Sequence, residues 1–129
     1  MDDRELVARF FQAGYVEKDY DAALSCLAPD YFDHSPAGAR SAQQAVAVLR
    51  AVEEMFGELQ VTMEACFAQD GMVAVRVTFS GVHIGPCMGL PATGRRITFE
   101  ALEHFRVADG QIVESWGYWP DRQIAQLLS

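Results

Sequence analysis

The sequence predicts an α+β domain, with helices packed on one face of a curved, mostly antiparallel sheet. Three observations carry this reading. Apolar residues in the N-terminal half recur with the helical period. From Leu59 onward they alternate every second residue, which is the strand period. Two Asp-Gly pairs, Asp70-Gly71 and Asp109-Gly110, separate alternating runs. Such pairs close tight hairpins, so the strands need no crossover helices.

The elements follow in order. Asp2 with Glu5 three residues on is a capping-box arrangement, and Leu6, Phe10 and Ala13 give the first helix its apolar side. Tyr15 falls near the end of that helix, one turn after Phe11. Asp19 caps a short second helix carrying Ala23, Leu24 and Leu27, which Pro29 stops. Tyr31-Phe32-Asp33-His34 reads as a brief strand ending at Pro36. Ser41 and Gln44 open a third helix whose apolar positions run from Ala45 to Phe56. Leu59, Val61, Met63, Ala65 and Phe67 form the apolar row of a half-buried strand. Val73, Val75, Val77 and Phe79 do the same in the next. A glycine- and proline-rich loop spans residues 85–94, followed by a strand from Arg96 to Val107 and a last one from Gln111 to about Trp119. Pro120 ends it, and Asp121 is placed to cap a small helix holding Ile124, Leu127 and Leu128.

The chain of 129 residues is expected to be one domain, 1–129. Eighteen acidic against ten basic side chains give a net charge of −8, and nine of the ten basic residues are Arg. Scattered arginines on an acidic chain make a poor nucleic-acid or anionic-membrane binder, because counterion release needs clustered positive charge. No apolar run approaches the ~20 residues that span a bilayer. The charged start, Met1-Asp2-Asp3-Arg4-Glu5, is unlike a secretion signal. Cys26, Cys66 and Cys87 are odd in number and widely spaced, so neither a disulfide framework nor a metal site is expected. A cytoplasmic location is the resulting expectation.

Function must come from residues that break their local pattern. Glu103 stands in the row Ile97, Phe99, Ala101, Glu103, Phe105, Val107, where every other member is apolar. A carboxyl in that row faces the core, and burial favours its protonated form. Such a group can donate a hydrogen bond or a proton near neutral pH. Strict alternation puts His83 on the apolar face of its strand, whereas a bulge at Gly81 would turn it outward. Asp33 and His34 are adjacent, so only one faces inward on a regular strand, and that one is a candidate general base. Ser115, Gly117 and Trp119 share one row of the last strand, opposite Trp116 and Tyr118. No nucleophile elbow, phosphate loop or metal-spaced His/carboxylate set is present.

The stretch from Gly81-Val82-His83-Ile84-Gly85 to Gly94-Arg95-Arg96, followed by residues 105–116 with Asp109-Gly110-Gln111-Ile112-Val113-Glu114-Ser115-Trp116, resembles the SnoaL-like polyketide cyclases. So does Tyr31-Phe32-Asp33-His34-Ser35-Pro36. That family belongs to the ketosteroid isomerase-like, nuclear-transport-factor-like superfamily. The resemblance implies a cone-shaped α+β barrel around a deep apolar pocket, in a homodimer or homotetramer. It also implies an acid–base ring closure of the aldol type, without cofactor or metal, on a polyketide-like small molecule. By position, His34 and His83 match pocket histidines of the family. Glu103 sits where related isomerases place an acid that donates to an enolate oxygen. Two departures stand out: Ser115 replaces a common histidine, and Pro120 occupies the place of the cyclases' acid–base aspartate, with Asp121 one residue on. The isomerases' first-helix tyrosine aligns with Phe11, one turn from Tyr15.

The reading is therefore a cofactor-independent cyclase or isomerase. Glu103, Asp121, His34 and His83 are its acid–base candidates, and Tyr15, Asp33, Phe79, Ser115 and Trp119 are expected to line the pocket. A non-catalytic binding or dimerisation module of the same fold is one alternative. An epoxide hydrolase is another, although Arg76 is followed by Thr78 where its Asp-Arg-Asp set would want an acid.

Overall fold

The computed structural model describes residues 1–36 and 38–129. Helix α1 (Asp3–Phe11) runs into a π-helical segment (Gln12–Glu17), and α2 is Tyr20–Ser25. Asp2 and Asp19 cap these helices as expected, accepting from the amides of Glu5 at 2.9 Å and Ala22 at 3.1 Å. Helix α2 stops at Ser25, short of the Leu27 expected in it, and strand β1 (Leu27–Asp33) starts four residues earlier than the sequence suggests, taking in Pro29. Helix α3 (Ala42–Met55) is capped by the Ser41 hydroxyl on the Gln44 amide. The strands β2 (Phe56–Gln69), β3 (Met72–His83), β4 (Arg96–Ala108) and β5 (Gln111–Tyr118) follow, then α4 (Asp121–Leu127).

The sheet order is β1-β5-β4-β3-β2, with β1 parallel to β5 and every other pair antiparallel. Both hairpins turn through positive φ at the two Asp-Gly pairs. The β3–β4 register is unbroken from Met72↔Arg106 to Val82↔Arg96, so alternation holds along both strands. The inward row of β3 ends at His83, which is fully buried. The inward row of β4 is the one that contains Glu103.

Strand β2 departs from simple alternation. Met63 pairs with Val77 but Ala65 pairs with Arg76, which leaves Glu64 as an extra, bulged residue. The bulge flips the remainder of the strand. Cys66 packs against the core, while Phe67, expected inward, is 72% exposed on the outer face. Leu102 and Tyr118, both 62% exposed, stand on that outer face too. The helices cover the inner face, where Phe11, Phe79 and Phe105 form the buried aromatic centre. The helices leave the region between α3, β1, β5 and the end of β4 unfilled. No helix is long and apolar enough to cross a membrane among the described residues.

Candidate active site

A cavity of about 300 Å³ occupies that gap. Its apolar wall comes from Phe10, Ala45, Val48, Leu49 and Phe105. Its polar groups include Tyr15, Tyr31, Asp33, Ser35, Glu103, Ser115, Tyr118, Trp119 and Asp121. A mostly apolar hollow with a few convergent polar side chains is the usual form of a small-molecule site.

Glu103 is the residue around which the rest is arranged. It reaches the cavity because β4 alternates without interruption. Its Oε2 is shut off from solvent and has no hydrogen-bond partner among the described residues. Burial pushes its carboxyl up to about 8, and the Asp33 charge adds to the rise. The Trp119 indole N–H, turned toward the same carboxyl, offsets part of it. Glu103 is thus a protonated acid at neutral pH. Across the ladder it pairs with Gly117. A Cβ at Gly117 would lie 2.8 Å from Oε1, so only glycine lets the carboxyl lie flat against β5.

Asp33 is the inward member of its pair, at the end of β1. Its Oδ1 accepts from the Ser35 amide at 2.9 Å and the Ser35 hydroxyl at 2.5 Å. Asp121 lines the cavity from the first turn of α4, on the exposed side. It is not the cap of that helix, since Pro120 holds the cap position. Tyr31 and Ser115 join hydroxyls at 2.5 Å on the cavity floor. Burial drives the Tyr31 phenol above its ordinary range. It does the same to Tyr15, reinforced by the Glu103 charge. Tyr15 is stacked on Phe11 at 5.7 Å and set edge-on to Phe79 at 5.2 Å.

Three expected site residues lie elsewhere. His34 is the outward member of the Asp33-His34 pair. It bonds Glu114 at 2.6 Å and stacks on Trp116 at 4.8 Å, on the surface. His83 points inward, as strict alternation requires, but toward Phe56 and the 85–94 loop rather than the cavity. Its Nδ1 accepts from the Thr93 amide at 3.2 Å. Phe79 is fully buried behind Tyr15 and Trp119 and supports the wall without lining it. Conversely, Tyr31 and Ser35 line the cavity beside Asp33, continuing its row by twos, a signal that the sequence carries only weakly. Arg76, the arginine a hydrolase set would need, is on the outer face and paired with Glu100 at 2.6 Å. No Arg, Lys or His lines the cavity among the described residues.

A chain with this sheet, cavity and buried acid invites comparison with known proteins. The model of the SnoaL-like polyketide cyclase family matches residues 5–126. The aklanonic acid methyl ester cyclase DnrD of Streptomyces peucetius is 30% identical over 122 residues, 91% of this chain and 83% of that protein. DauD of Streptomyces sp. strain C5, of the same description, is also 30% identical, over 91% of this chain and 74% of its own. The solved structure of TsrD from Streptomyces laurentii superposes with a TM-score of 0.88 at 28% identity, over 100% of this chain and 98% of the other. The match runs through every element that builds the cavity, from α1 to α4, and the chain belongs to the SnoaL-like polyketide cyclase family.

Proposed function

We propose that this protein is a cofactor-independent polyketide cyclase that closes a ring by intramolecular aldol addition. The substrate is an apolar, carbonyl-bearing small molecule, of the kind implied by relatives that cyclise aklanonic acid methyl ester. The observation that carries the reading is Glu103: a carboxyl buried in an apolar row, protonated at neutral pH, beside a second carboxylate in one cavity.

The chemistry needs one proton acceptor and one donor. Asp33 takes a proton from the carbon beside a substrate carbonyl, and the electron pair moves onto that carbonyl oxygen as an enolate. Glu103, whose Oε2 is shut off from solvent, donates its hydrogen bond to the developing oxyanion. The enolate carbon then attacks the second carbonyl carbon of the same molecule. The new carbon–carbon bond forms, and that second oxygen collects the proton. No atom is gained or lost, so no oxidant or reductant enters the balance. Asp33 is favoured over Asp121 as base because its charge bears directly on Glu103, whereas Asp121 stands exposed at the mouth. A buried acid with a second carboxyl beside it in one cavity is an arrangement that can serve acid–base catalysis.

The test is turnover of aklanonic acid methyl ester by wild type, Glu103→Gln and Glu103→Ala. Glu103→Ala should lower kcat/KM roughly a hundred- to a thousand-fold. Glu103→Gln, which keeps a donor, should lose less. Unchanged turnover in both variants would sink the assignment.

The assembly is a homo-oligomer in which two copies meet through the outer face of the sheet. Phe67, Leu102, Trp116 and Tyr118 border an apolar groove of about 430 Å³ there. The charges flanking it are paired within the chain, Arg76 with Glu100 and Arg106 with Glu114. Two copies of a chain of net charge −8 can therefore meet on this face without like charges opposed. The three cysteines are free, which fits a reducing cytoplasm.

A further inference from the structure

We propose that Ser35 is a positioning residue: its hydroxyl bridges the Asp33 carboxylate and the Gly117 amide, and so holds Asp33 at a fixed place beside Glu103. The inference rests on the reading of Asp33 and Glu103 as the acid–base pair.

The backbone ladder between β1 and β5 runs out just before this point. Asp33 pairs with Ser115, and the His34 amide makes a last bond to the Ser115 carbonyl at 2.7 Å. Two residues further along β5, beyond the end of β1, the Gly117 amide donates to Ser35 Oγ at 2.6 Å. That oxygen passes the contact on, because its own proton goes to Asp33 Oδ1 at 2.5 Å. A local turn of the Asp-x-Ser kind needs only the Ser35 amide on Asp33 Oδ1, which is present at 2.9 Å. The bond from Gly117 ties the turn to the strand that faces Glu103 in register.

The surroundings are cut to fit. A Cβ at Gly38 would fall 2.6 Å from Asp33 Cγ, so the loop closes over the carboxylate only with glycine there. Arg40 donates to the Asp33 carbonyl, and the Asp33 amide donates to the Ala39 carbonyl at 2.8 Å. Backbone and side chain of Asp33 are thus both held. The titratable groups that line the cavity with Glu103 are Tyr15 from the π segment, Tyr31 and Asp33 from β1, Tyr118 from β5 and Asp121 from α4. Arg76 and His104 border its strand from the outer groove. Of these, Asp33 is the one whose charge most strongly opposes ionisation of Glu103.

The experiment is a carboxyl-carbon NMR titration of the full chain labelled in Glu, on wild type, Asp33→Asn, Ser35→Ala and Ser35→Thr. The Glu103 midpoint should lie near 8 in wild type. Asp33→Asn should lower it by roughly one pH unit, since a like charge is removed. Ser35→Ala should move it the same way but by less, because Asp33 keeps the Ser35 amide at 2.9 Å and loses only the hydroxyl that ties it to Gly117, and Ser35→Thr should restore it. In turnover, Ser35→Ala should lower kcat about tenfold with KM within twofold, and Ser35→Thr should recover it. A thermal melt checks that each variant is folded. A Glu103 midpoint unmoved by Ser35→Ala, or unmoved by Asp33→Asn, overturns the proposal. The titration needs no substrate. If it behaves as stated while wild type turns nothing over, the positioning role stands and the cyclase reading fails.

Discussion

Replacing Glu103 with glutamine removes one ionisation and leaves nearly the same shape, so it isolates the cost of that charge. The carboxyl titrates at about 8 in the fold against an ordinary 4.5. The folded state therefore favours the neutral acid. Below pH 4.5 both states hold the proton and the stabilisation is fully present. As pH rises past 4.5 the unfolded chain ionises while the fold keeps its proton, and stability is lost until Glu103 ionises near pH 8. The interval is roughly 3.5 pH units, and at about 1.4 kcal/mol per unit it amounts to ~5 kcal/mol. Water reaching the stem of the residue from the outer groove trims this, so a fall of ~3–5 kcal/mol is expected. Glu103→Gln is neutral at every pH and lacks this slope. Urea denaturation of both proteins at intervals from pH 5 to 9 gives the difference directly, with all other titrations cancelling. Wild type should lose ground to the variant from pH 5 up to about 8 and level off toward pH 9. Parallel curves, with a difference constant to within ~0.5 kcal/mol, would refute the claim that the fold holds this carboxyl protonated.

Two further outcomes follow from the same geometry. Gly117→Ala puts a methyl group 2.8 Å from Glu103 Oε1. It should displace the carboxyl, cost ~1–3 kcal/mol in thermal or urea melts, and lower kcat more than it raises KM. Leu102→Glu sets a charge in the middle of the outer apolar groove. Sedimentation should find it monomeric where wild type is dimeric or larger, with the urea midpoint of the dilute protein little changed. A wild type that sediments as a monomer at micromolar concentration counts against the proposed interface.

What could be read from the sequence depended on how regular each strand is. β4 is long and unbulged, so counting by twos located Glu103 on the inner face. The same count left His83 inward by strict alternation or outward with a bulge at Gly81, and the unbroken β3–β4 register decides for inward. The 85–94 loop that closes on His83 through Thr93 has no periodicity to read. Phe67 faces outward because one extra residue, Glu64, shifts the phase of β2, and nothing in its composition announces a bulge. Asp33 and His34 presented an either-or that only the pairing of β1 with β5 could resolve. Tyr31 and Ser35 were legible in principle, two residues either side of Asp33. The strand is short, begins around a proline, and finds its partner some 80 positions away, so its inner row did not stand out locally. Asp121 follows a proline outside any repeating pattern, and its approach to the cavity is a property of how α4 is set down.

The π-helical segment at Gln12–Glu17 gives the cavity an unusual dependence on chain length. Such a turn is what a helix makes of one residue more than its α-bonds can absorb. It ends with Lys18 in the left-handed region at φ 57°, from which the chain turns into α2. Each residue of a plain α-helix advances about 100° around the axis. Deleting one residue from the segment would restore the tighter winding, and either Tyr15 or the connection at Lys18 would rotate by about that angle. The phenol facing Glu103 is therefore held in place by a residue count as much as by residue identity. In an aligned relative whose first helix stays α throughout, the residue in the column of Tyr15 need not be the one that reaches its cavity, and the two chains must be matched here by spatial phase.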